Sequence, residues 1–241
     1  MHPPEVYTRT SGLPSSWEQA ILLVDKPEGW TSFDVIRYLR RHLPVRKMGH
    51  AGTLDPMATG LLIILVGKAT RKMSLFMELD KTYEGTLRLG QETPSYDAET
   101  PVIAEYPWEH VTEEDLKVLI PAFTGTIRQR PPVYSALKVK GERLYKKARR
   151  GEAVEVAERD VTIYDLEFLS KRGPDVDFRV RCARGTYIRS LAHDIGQALG
   201  TGAHLVALRR TAIGPFRVEE AFTPEEIARL AQNHTEGCVQ K

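Results

Sequence analysis

The sequence predicts an α+β fold, because strand and helix patterns follow one another along the 241 residues without regular alternation. The apolar run 61–66 lies between turn-forming residues, which is typical of a buried strand. Residues 81–89 alternate apolar and polar side chains, as half-buried strands do. Thr31 and Asp34 have the spacing of a capping box, and an apolar stripe of helical period follows them. Strands and helices are therefore both expected.

Local signals predict the other elements of the first half. Residues 1–20 contain several prolines and little apolar periodicity, so we expect a mobile or loosely docked tail. Residues 21–24 form a short buried strand that ends in the turn 25–29. Pro44 ends the helix that Thr31 caps, and a second short helix is expected over 69–77. The buried face of the first helix comprises Val35, Ile36, Leu39 and Leu43.

The second half shows the same mixture of elements. Thr112 caps a helix, and Asp115 completes its capping box. Strands are predicted over 161–169 and 176–182, the second with Val176, Phe178, Val180 and Cys182 facing inward. A helical stripe over 188–199 ends at Gly200, and a last helix begins after Thr223.

The composition excludes several classes of protein. No apolar run approaches the roughly 20 residues that span a bilayer, and no secretory signal is visible. Cys182 and Cys238 lie far apart and lack the spacing of a metal site, so Cys182 is interpreted as a small core residue. We therefore expect a cytoplasmic, monomeric protein with no membrane partner, no disulfide and no metal.

The net charge of +2 hides a strong segregation of charge along the chain. Residues 128–152 contain nine bases and two acids, whereas residues 92–120 contain eight acids and one lysine. This pattern favours one surface that binds a polyanion and another that repels it, over an ordinary solvated face with mixed signs. The basic segment interleaves Tyr134 and Tyr145 with its charges and includes a double proline. A nucleic acid is the expected partner.

A single carboxylate, Asp55, lies in a loop of glycines and small hydroxyl residues directly before the buried strand 61–66. Such loops on rigid scaffolds often carry functional side chains, although an aspartate before proline also commonly forms a structural turn. The segment Gly49-His50-Ala51-Gly52-Thr53-Leu54-Asp55-Pro56 resembles the catalytic motif of the TruB-type tRNA pseudouridine synthases. Three further matches follow in order, and the resemblance covers about 21–224. They are Lys81-Thr82-Tyr83, Arg184-Gly185-Thr186-Tyr187-Ile188-Arg189, and Gly202-Ala203-His204-Leu205 through Leu208-Arg209-Arg210.

The resemblance implies a pseudouridine synthase fold, with a mixed, largely antiparallel sheet flanked by helices and an active-site cleft across its middle. It implies a catalytic domain over 21–222, with a basic RNA-binding insertion, the thumb, at about 128–152. Residues 223–241 then form a short C-terminal helix and tail, too short for the full RNA-binding domain that many relatives carry. The thumb residues singled out are Lys138, Lys140, Arg143, Lys146, Lys147, Arg149 and Arg150.

By the same resemblance Asp55 is the catalytic acid, and Arg189 is its cationic partner. Tyr83 stacks on the target base, with Tyr187 and Leu208 in the same pocket, and His50 packs within the RNA fold. Arg71 is a candidate for pairing with a phosphate or with a nearby acid. From the residues alone, Tyr83 and Leu208 read as core residues and His50 as a loop histidine. A solvated charge at a helix start is the alternative for Arg189, but a cation is unfavourable at a helix N-terminus, which favours the functional role.

The function implied is isomerisation of uridine to pseudouridine at position 55 in the T-loop of tRNA, with the T-arm as the RNA partner and no cofactor. Two other functions remain open at this point. One is pseudouridine synthesis on another RNA, such as that of guide-directed relatives. The other is a tRNA-folding chaperone with little turnover.

Overall fold

The structure is a computed structural model that describes residues 5–135, 138–139, 142–143, 150 and 156–239. Its contacts divide the chain into two compact units. The first unit comprises Met1–Tyr83 and Arg209–Lys241, and the second comprises Glu84–Leu208. The chain passes from one unit to the other within two strands, at Tyr83 and at Leu208.

The helices are α1 Ser32–His42, α2 Met73–Glu78, α3 Glu113–Leu119, α4 Ile188–Leu199 and α5 Pro224–Val239. The strands of the first half are β1 Val6–Tyr7, β2 Gln19–Lys26, β3 Met48–Ala51, β4 Thr59–Gly67, β5 Lys81–Leu89, β6 Gln91–Glu92 and β7 Ala104–Glu105. Those of the second half are β8 Gly125–Gln129, β9 Lys138–Val139, β10 Glu142–Arg143, β11 Arg159–Arg172, β12 Asp175–Cys182, β13 Ala203–Ile213 and β14 Phe216–Arg217. This mixture confirms the predicted α+β class.

The first unit is built on strands β2 and β4, which pair antiparallel along their length. Strand β3 pairs antiparallel with β4, and residues Arg209 and Arg210 of β13 pair parallel with its beginning. Successive side chains of β4 enter two different core clusters, one on each face of the sheet. The run 61–66 is continuously apolar because both faces of its strand are buried.

Helix α1 covers one face of this sheet, as predicted. The Thr31 side chain accepts from the backbone N–H of Asp34, and the Asp34 carboxylate accepts from the backbone N–H of Thr31. Val35, Ile36 and Leu39 pack into the cluster that includes the inner side chains of β2 and β4. The sequence therefore predicted the cap and the buried face of this helix correctly.

The second unit contains the antiparallel pairs β11–β12 and β8–β11. Val176, Phe178, Val180 and Cys182 are all buried, which confirms the predicted inward face of β12. Helix α3 carries the predicted capping box of Thr112 and Asp115, and helix α4 ends at Gly200 in the left-handed conformation.

The sequence analysis did not predict strands β3, β6–β10 and β14, and three further elements also differ from the prediction. Val6–Tyr7 of the N-terminal tail form β1 beside β2, because Tyr7, Leu13 and Trp17 pack against the core. The helix expected over 69–77 is a 3₁₀ turn, Lys68–Lys72, followed by α2. Strand β13 was missed.

No helix in the described part of the chain is both long and apolar enough to cross a membrane.

Candidate active site

Asp55 lies on the loop between β3 and β4, as predicted, and is half-buried. The backbone N–H of Ala58 donates to the carbonyl of Asp55 at 3.1 Å, so residues 55–58 form a tight turn. Gly60 ends the loop with a φ of 103°, and a Cβ there would lie 2.3 Å from the carbonyl oxygen of Arg210. Only glycine permits this close approach of β4 to β13.

The segment 26–32 holds the Asp55 loop from one side. The Ser32 hydroxyl accepts from the backbone N–H of Leu54 at 2.9 Å and donates to the Leu54 carbonyl at 3.2 Å. The backbone N–H of Gly29 donates to the carbonyl of Pro56 at 2.9 Å. The backbone on both sides of Asp55 is therefore anchored to Ser32 at the start of α1 and to Gly29 in the preceding turn.

Lys26 is fully buried beside this loop. Its ammonium donates to the carbonyls of Trp30 at 2.5 Å, Pro27 at 2.9 Å and Pro56 at 3.2 Å. Burial lowers the pKa of Lys26 to about 8, because desolvation outweighs the favourable charge of Asp55. Sequence analysis did not single out this residue, since a lysine at a strand end is usually solvated.

The lowered pKa of Lys26 makes a testable contribution to stability. Unfolded lysine titrates near pH 10.4, so between about pH 8 and 10 the unfolded chain binds more protons than the folded chain. The free energy of unfolding should therefore rise with pH through that window, as the cost of burying the charged ammonium is relieved. Below about pH 8 this cost should be constant. We expect urea unfolding of the wild type to show this rise relative to Lys26→Met. Parallel pH profiles of the two proteins would contradict it.

Arg210 holds the loop from the other side. Its guanidinium donates to the carbonyl of Leu61 at 2.7 Å and to that of Gly52 at 3.1 Å, and only 1% of the residue is exposed. The guanidinium carbon lies 6.0 Å from the ring centre of Tyr83. Arg210 thereby connects the Asp55 loop with the ring that is predicted to stack on the target base.

The other predicted residues of the first unit occupy different environments. Tyr83 is buried on β5, with 9% of its surface exposed. His50 lies on β3, where burial and the charge of Arg210 lower its pKa, so the ring is neutral at pH 7. Arg71 is exposed on the 3₁₀ turn after β4, and its role stays a prediction.

Arg189 belongs to the second unit, on the first turn of α4, where only 4% of it is exposed. This excludes the solvated charge that the sequence left open. Its guanidinium donates to the Asp97 carboxylate at 3.2 Å, to the carbonyl of Ser95 at 3.3 Å and to that of Tyr134 at 3.1 Å. The predicted pairing of Arg189 with Asp55 joins residues of different units and stays a prediction.

Asp97 is a buried partner of Arg189 that the sequence analysis missed. It is completely buried, whereas the acidic run 92–120 was interpreted as a surface that repels RNA, so that interpretation is wrong for this residue. The Ser95 hydroxyl and the backbone N–H of Glu99 donate to its Oδ1, at 2.5 Å and 2.9 Å, and Arg189 occupies Oδ2. Asp97 therefore fixes the position of the Arg189 guanidinium.

Tyr187 and Leu208 also lie in the second unit. The Gln129 side chain accepts from the backbone N–H of Tyr187 at 2.8 Å and donates to its carbonyl at 3.0 Å. The Arg159 guanidinium lies 5.0 Å from the centre of the half-buried Tyr187 ring. Leu208, on β13, is 8% exposed. Burial alone fits both a pocket residue and a core residue, so these roles stay predictions.

Of the seven thumb residues singled out, four lie outside the described residues: Lys140, Lys146, Lys147 and Arg149. Lys138 and Arg143 stand on β9 and β10, whose backbones pair antiparallel. Arg150 is exposed in a turn.

Two protein-family models match the chain. Residues 40–188 match the TruB family pseudouridylate synthase N-terminal domain. Residues 189–240 match the tRNA pseudouridylate synthase B C-terminal domain. The second match begins at Arg189, inside the predicted catalytic domain.

Curated relatives and solved structures extend the comparison. The chain is 49% identical to tRNA pseudouridine synthase B of Thermobifida fusca, with 86% of this chain and 74% of that protein covered. It is also 49% identical to the protein of that name from Opitutus terrae, over 87% of each chain. A crystal structure of a Cbf5-Nop10-Gar1 complex aligns with a TM-score of 0.69 and 34% identity, over 88% of this chain and 54% of the matched chain.

A structure of an H/ACA RNP bound to a substrate RNA containing 2'-deoxyuridine gives the same TM-score of 0.69, at 31% identity, over 92% of this chain. This chain spans little more than half of each matched chain in the two solved complexes, 54% and 56%. These likenesses confirm the predicted pseudouridine synthase fold. With both family models matched over 40–240 and close relatives covered over most of their length, the chain belongs to the TruB family of pseudouridylate synthases.

Proposed function

We propose that this chain isomerises uridine to pseudouridine in tRNA, at position 55 of the T-loop, with Asp55 as its catalytic carboxylate. The observation that carries the proposal is the anchored loop around Asp55. Hydrogen bonds from Ser32, Gly29, Lys26 and Arg210 fix its backbone on both sides of the acid. Relatives of the same family, named tRNA pseudouridine synthase B, supply the RNA class.

The reaction breaks the bond from C1′ of ribose to N1 of uracil and forms a bond from C1′ to C5. Breaking the first bond leaves positive character on C1′, which a carboxylate can stabilise or attack. Uracil leaves as a delocalised anion, turns and reattaches through C5. The proton on C5 is then lost and N1 gains one, so the product is an isomer. Because no water enters, one carboxylate is sufficient.

The target base must leave its stack to reach Asp55, and flipped bases are commonly held between aromatic and apolar faces. In the proposed pocket Tyr83 stacks on the uracil, with Tyr187 and Leu208 beside it. In this proposal Arg189, which Asp97 orients, pairs with the Asp55 carboxylate and favours its charged form.

The proposal is tested with a tRNA transcript that carries tritium at C5 of uracil. Isomerisation exchanges the C5 hydrogen for the glycosidic bond, so each pseudouridine formed releases one tritium into water. We expect multiple turnovers on this RNA without added metal or cofactor. Tight tRNA binding with no tritium release would favour the chaperone function instead.

Tyr83→Phe tests the pocket. The phenyl ring can still stack on uracil, so RNA affinity should change little, whereas loss of the hydroxyl should slow the steps that move the C5 proton. Tyr83→Leu, the matched variant, should weaken binding as well. Single-turnover tritium release and filter binding separate the two effects. Normal turnover in both variants would make Tyr83 a core residue.

The thumb prediction concerns salt dependence. Reversing Lys146, Lys147, Arg149 and Arg150 to glutamate should weaken tRNA binding, because phosphate contacts release counterions. The slope of log affinity against log salt should fall by about one to three units. Neutralising the exposed Glu113 and Glu114 on α3 is the control and should not reduce affinity. An unchanged slope in the thumb variant would mean that the basic run is only a solvated face.

A further inference from the structure

A cavity of about 270 Å³ opens on the surface of α1, and none of the residues that the family resemblance identifies lines it. It is lined by Trp30, Asp34, Arg37, Tyr38 and Arg41. All five residues belong to the first unit. Two aromatic rings and two guanidinium groups therefore meet at one accessible pocket.

The aromatic side of the pocket is ordered. The rings of Trp30 and Tyr38 lie 5.3 Å apart, and those of Tyr38 and His42 lie 4.3 Å apart. Trp30 and Tyr38 also pack on the core cluster beneath α1, which holds both rings in place. A fixed ring with an accessible face or edge is the usual platform on which an unstacked base rests.

The charged side of the pocket favours an anion. Residues 35–48 contain five bases and no acid. The one carboxylate in the lining, Asp34, is engaged by the Thr31 cap and by Arg37 at 3.1 Å. That ion pair is solvent-exposed, with 57% of the Arg37 side chain accessible, so exchanging it for a phosphate costs little.

Nearby side chains continue the combination of aromatic rings and arginines along α1. Phe33 is 51% exposed, and the guanidinium carbons of Arg37 and Arg40 each lie 5.8 Å from its ring centre. Exposed aromatics interleaved with arginines are typical of surfaces that bind single-stranded RNA. Trp30 also lies two residues before Ser32, which hydrogen-bonds Leu54 of the Asp55 loop.

We propose that this pocket binds one unstacked nucleotide of the RNA substrate, with its base against Trp30 and Tyr38 and its phosphate between Arg37 and Arg41. The inference rests on the proposed function, because it places a second part of the same RNA on the enzyme. In this proposal the thumb and the α1 pocket bind different parts of the RNA. The pocket contributes to binding and not to bond breaking.

The first test removes the two charges without reversing them. Arg37→Gln/Arg41→Gln should bind a T-arm hairpin transcript about tenfold more weakly, and the salt slope should fall by about one to two units. Turnover at saturating RNA should not change, since neither side chain touches the reacting atoms. The matched control is Arg217→Gln/Arg229→Gln, which neutralises two exposed arginines of the same unit and should bind normally.

The second test needs no change in the pocket. The sequence contains three tryptophans, so Trp17→Phe/Trp108→Phe leaves Trp30 as the only one. Binding of the hairpin should quench the fluorescence of Trp30, because a base stacks on its ring. An unquenched Trp30, or equal losses of affinity in the two arginine pairs, would overturn the proposal.

The two failures can be told apart. Tritium release by the wild type tests the proposed function, whereas quenching and the salt slope report binding alone. If the wild type releases tritium but RNA does not quench Trp30 fluorescence, the pocket proposal is refuted and the proposed function stands. A wild type without tritium release would refute the function whatever the pocket binds.

Discussion

Replacing Asp55 by asparagine is expected to abolish pseudouridine formation while preserving the fold and RNA binding. The amide carries no charge to stabilise positive character at C1′, and the motif contains no second acid to replace it. Single-turnover tritium release should fall by many orders of magnitude. Residual activity within about tenfold of the wild type, equivalent to about 1.4 kcal/mol in the barrier, would contradict the assignment.

The matched control for this variant is Glu28→Gln. Glu28 is exposed on the turn that contacts the Asp55 loop, so its replacement removes one negative charge nearby without touching the proposed chemistry. Turnover should remain close to that of the wild type. Comparable losses in the two variants would show that activity follows local charge and not the Asp55 carboxylate.

Arg189→Met is expected to lose both stability and activity. The substitution leaves the fully buried Asp97 carboxylate without its cation, and breaking a buried ion pair typically costs about 3–5 kcal/mol. Turnover should also fall steeply, because Arg189 is proposed to pair with the catalytic acid. Urea unfolding and single-turnover tritium release measure the two effects separately.

The double variant Arg189→Met/Asp97→Asn distinguishes a structural role from a catalytic one. Neutralising Asp97 removes the uncompensated charge, so much of the lost stability should return. Activity should not return, because the cation proposed to face Asp55 is still missing. Recovery of both properties together would mean that Arg189 serves only the stability of the second unit.

The sequence predicted the elements whose signals are local. The capping boxes at Thr31 and Thr112 and the glycine stop at Gly200 depend on neighbouring residues, and all three appear in the structure. The apolar run 61–66, flanked by turn-forming residues, was also correctly interpreted as a strand, and it is apolar at every position because both faces are buried. The roles assigned to site residues came from family motifs and not from these patterns.

Buried polar residues account for most of what the sequence could not predict. Lys26, Asp97 and Arg210 are almost completely inaccessible to solvent, although charged residues usually lie on the surface. Their burial depends on partners distant in sequence, such as Pro56 for Lys26 and Arg189 for Asp97. Strand β13 was missed partly because the buried Arg210 interrupts its apolar pattern.

The central claim is that Asp55 directs isomerisation of one particular uridine in tRNA. The most direct measurement is primer extension on an initially unmodified tRNA transcript that has been incubated with the protein and then treated with a carbodiimide, which marks pseudouridine. We predict a stop at uridine 55 that appears with the wild type and is absent with Asp55→Asn. Stops at other uridines only, or an undiminished stop with Asp55→Asn, would contradict the account.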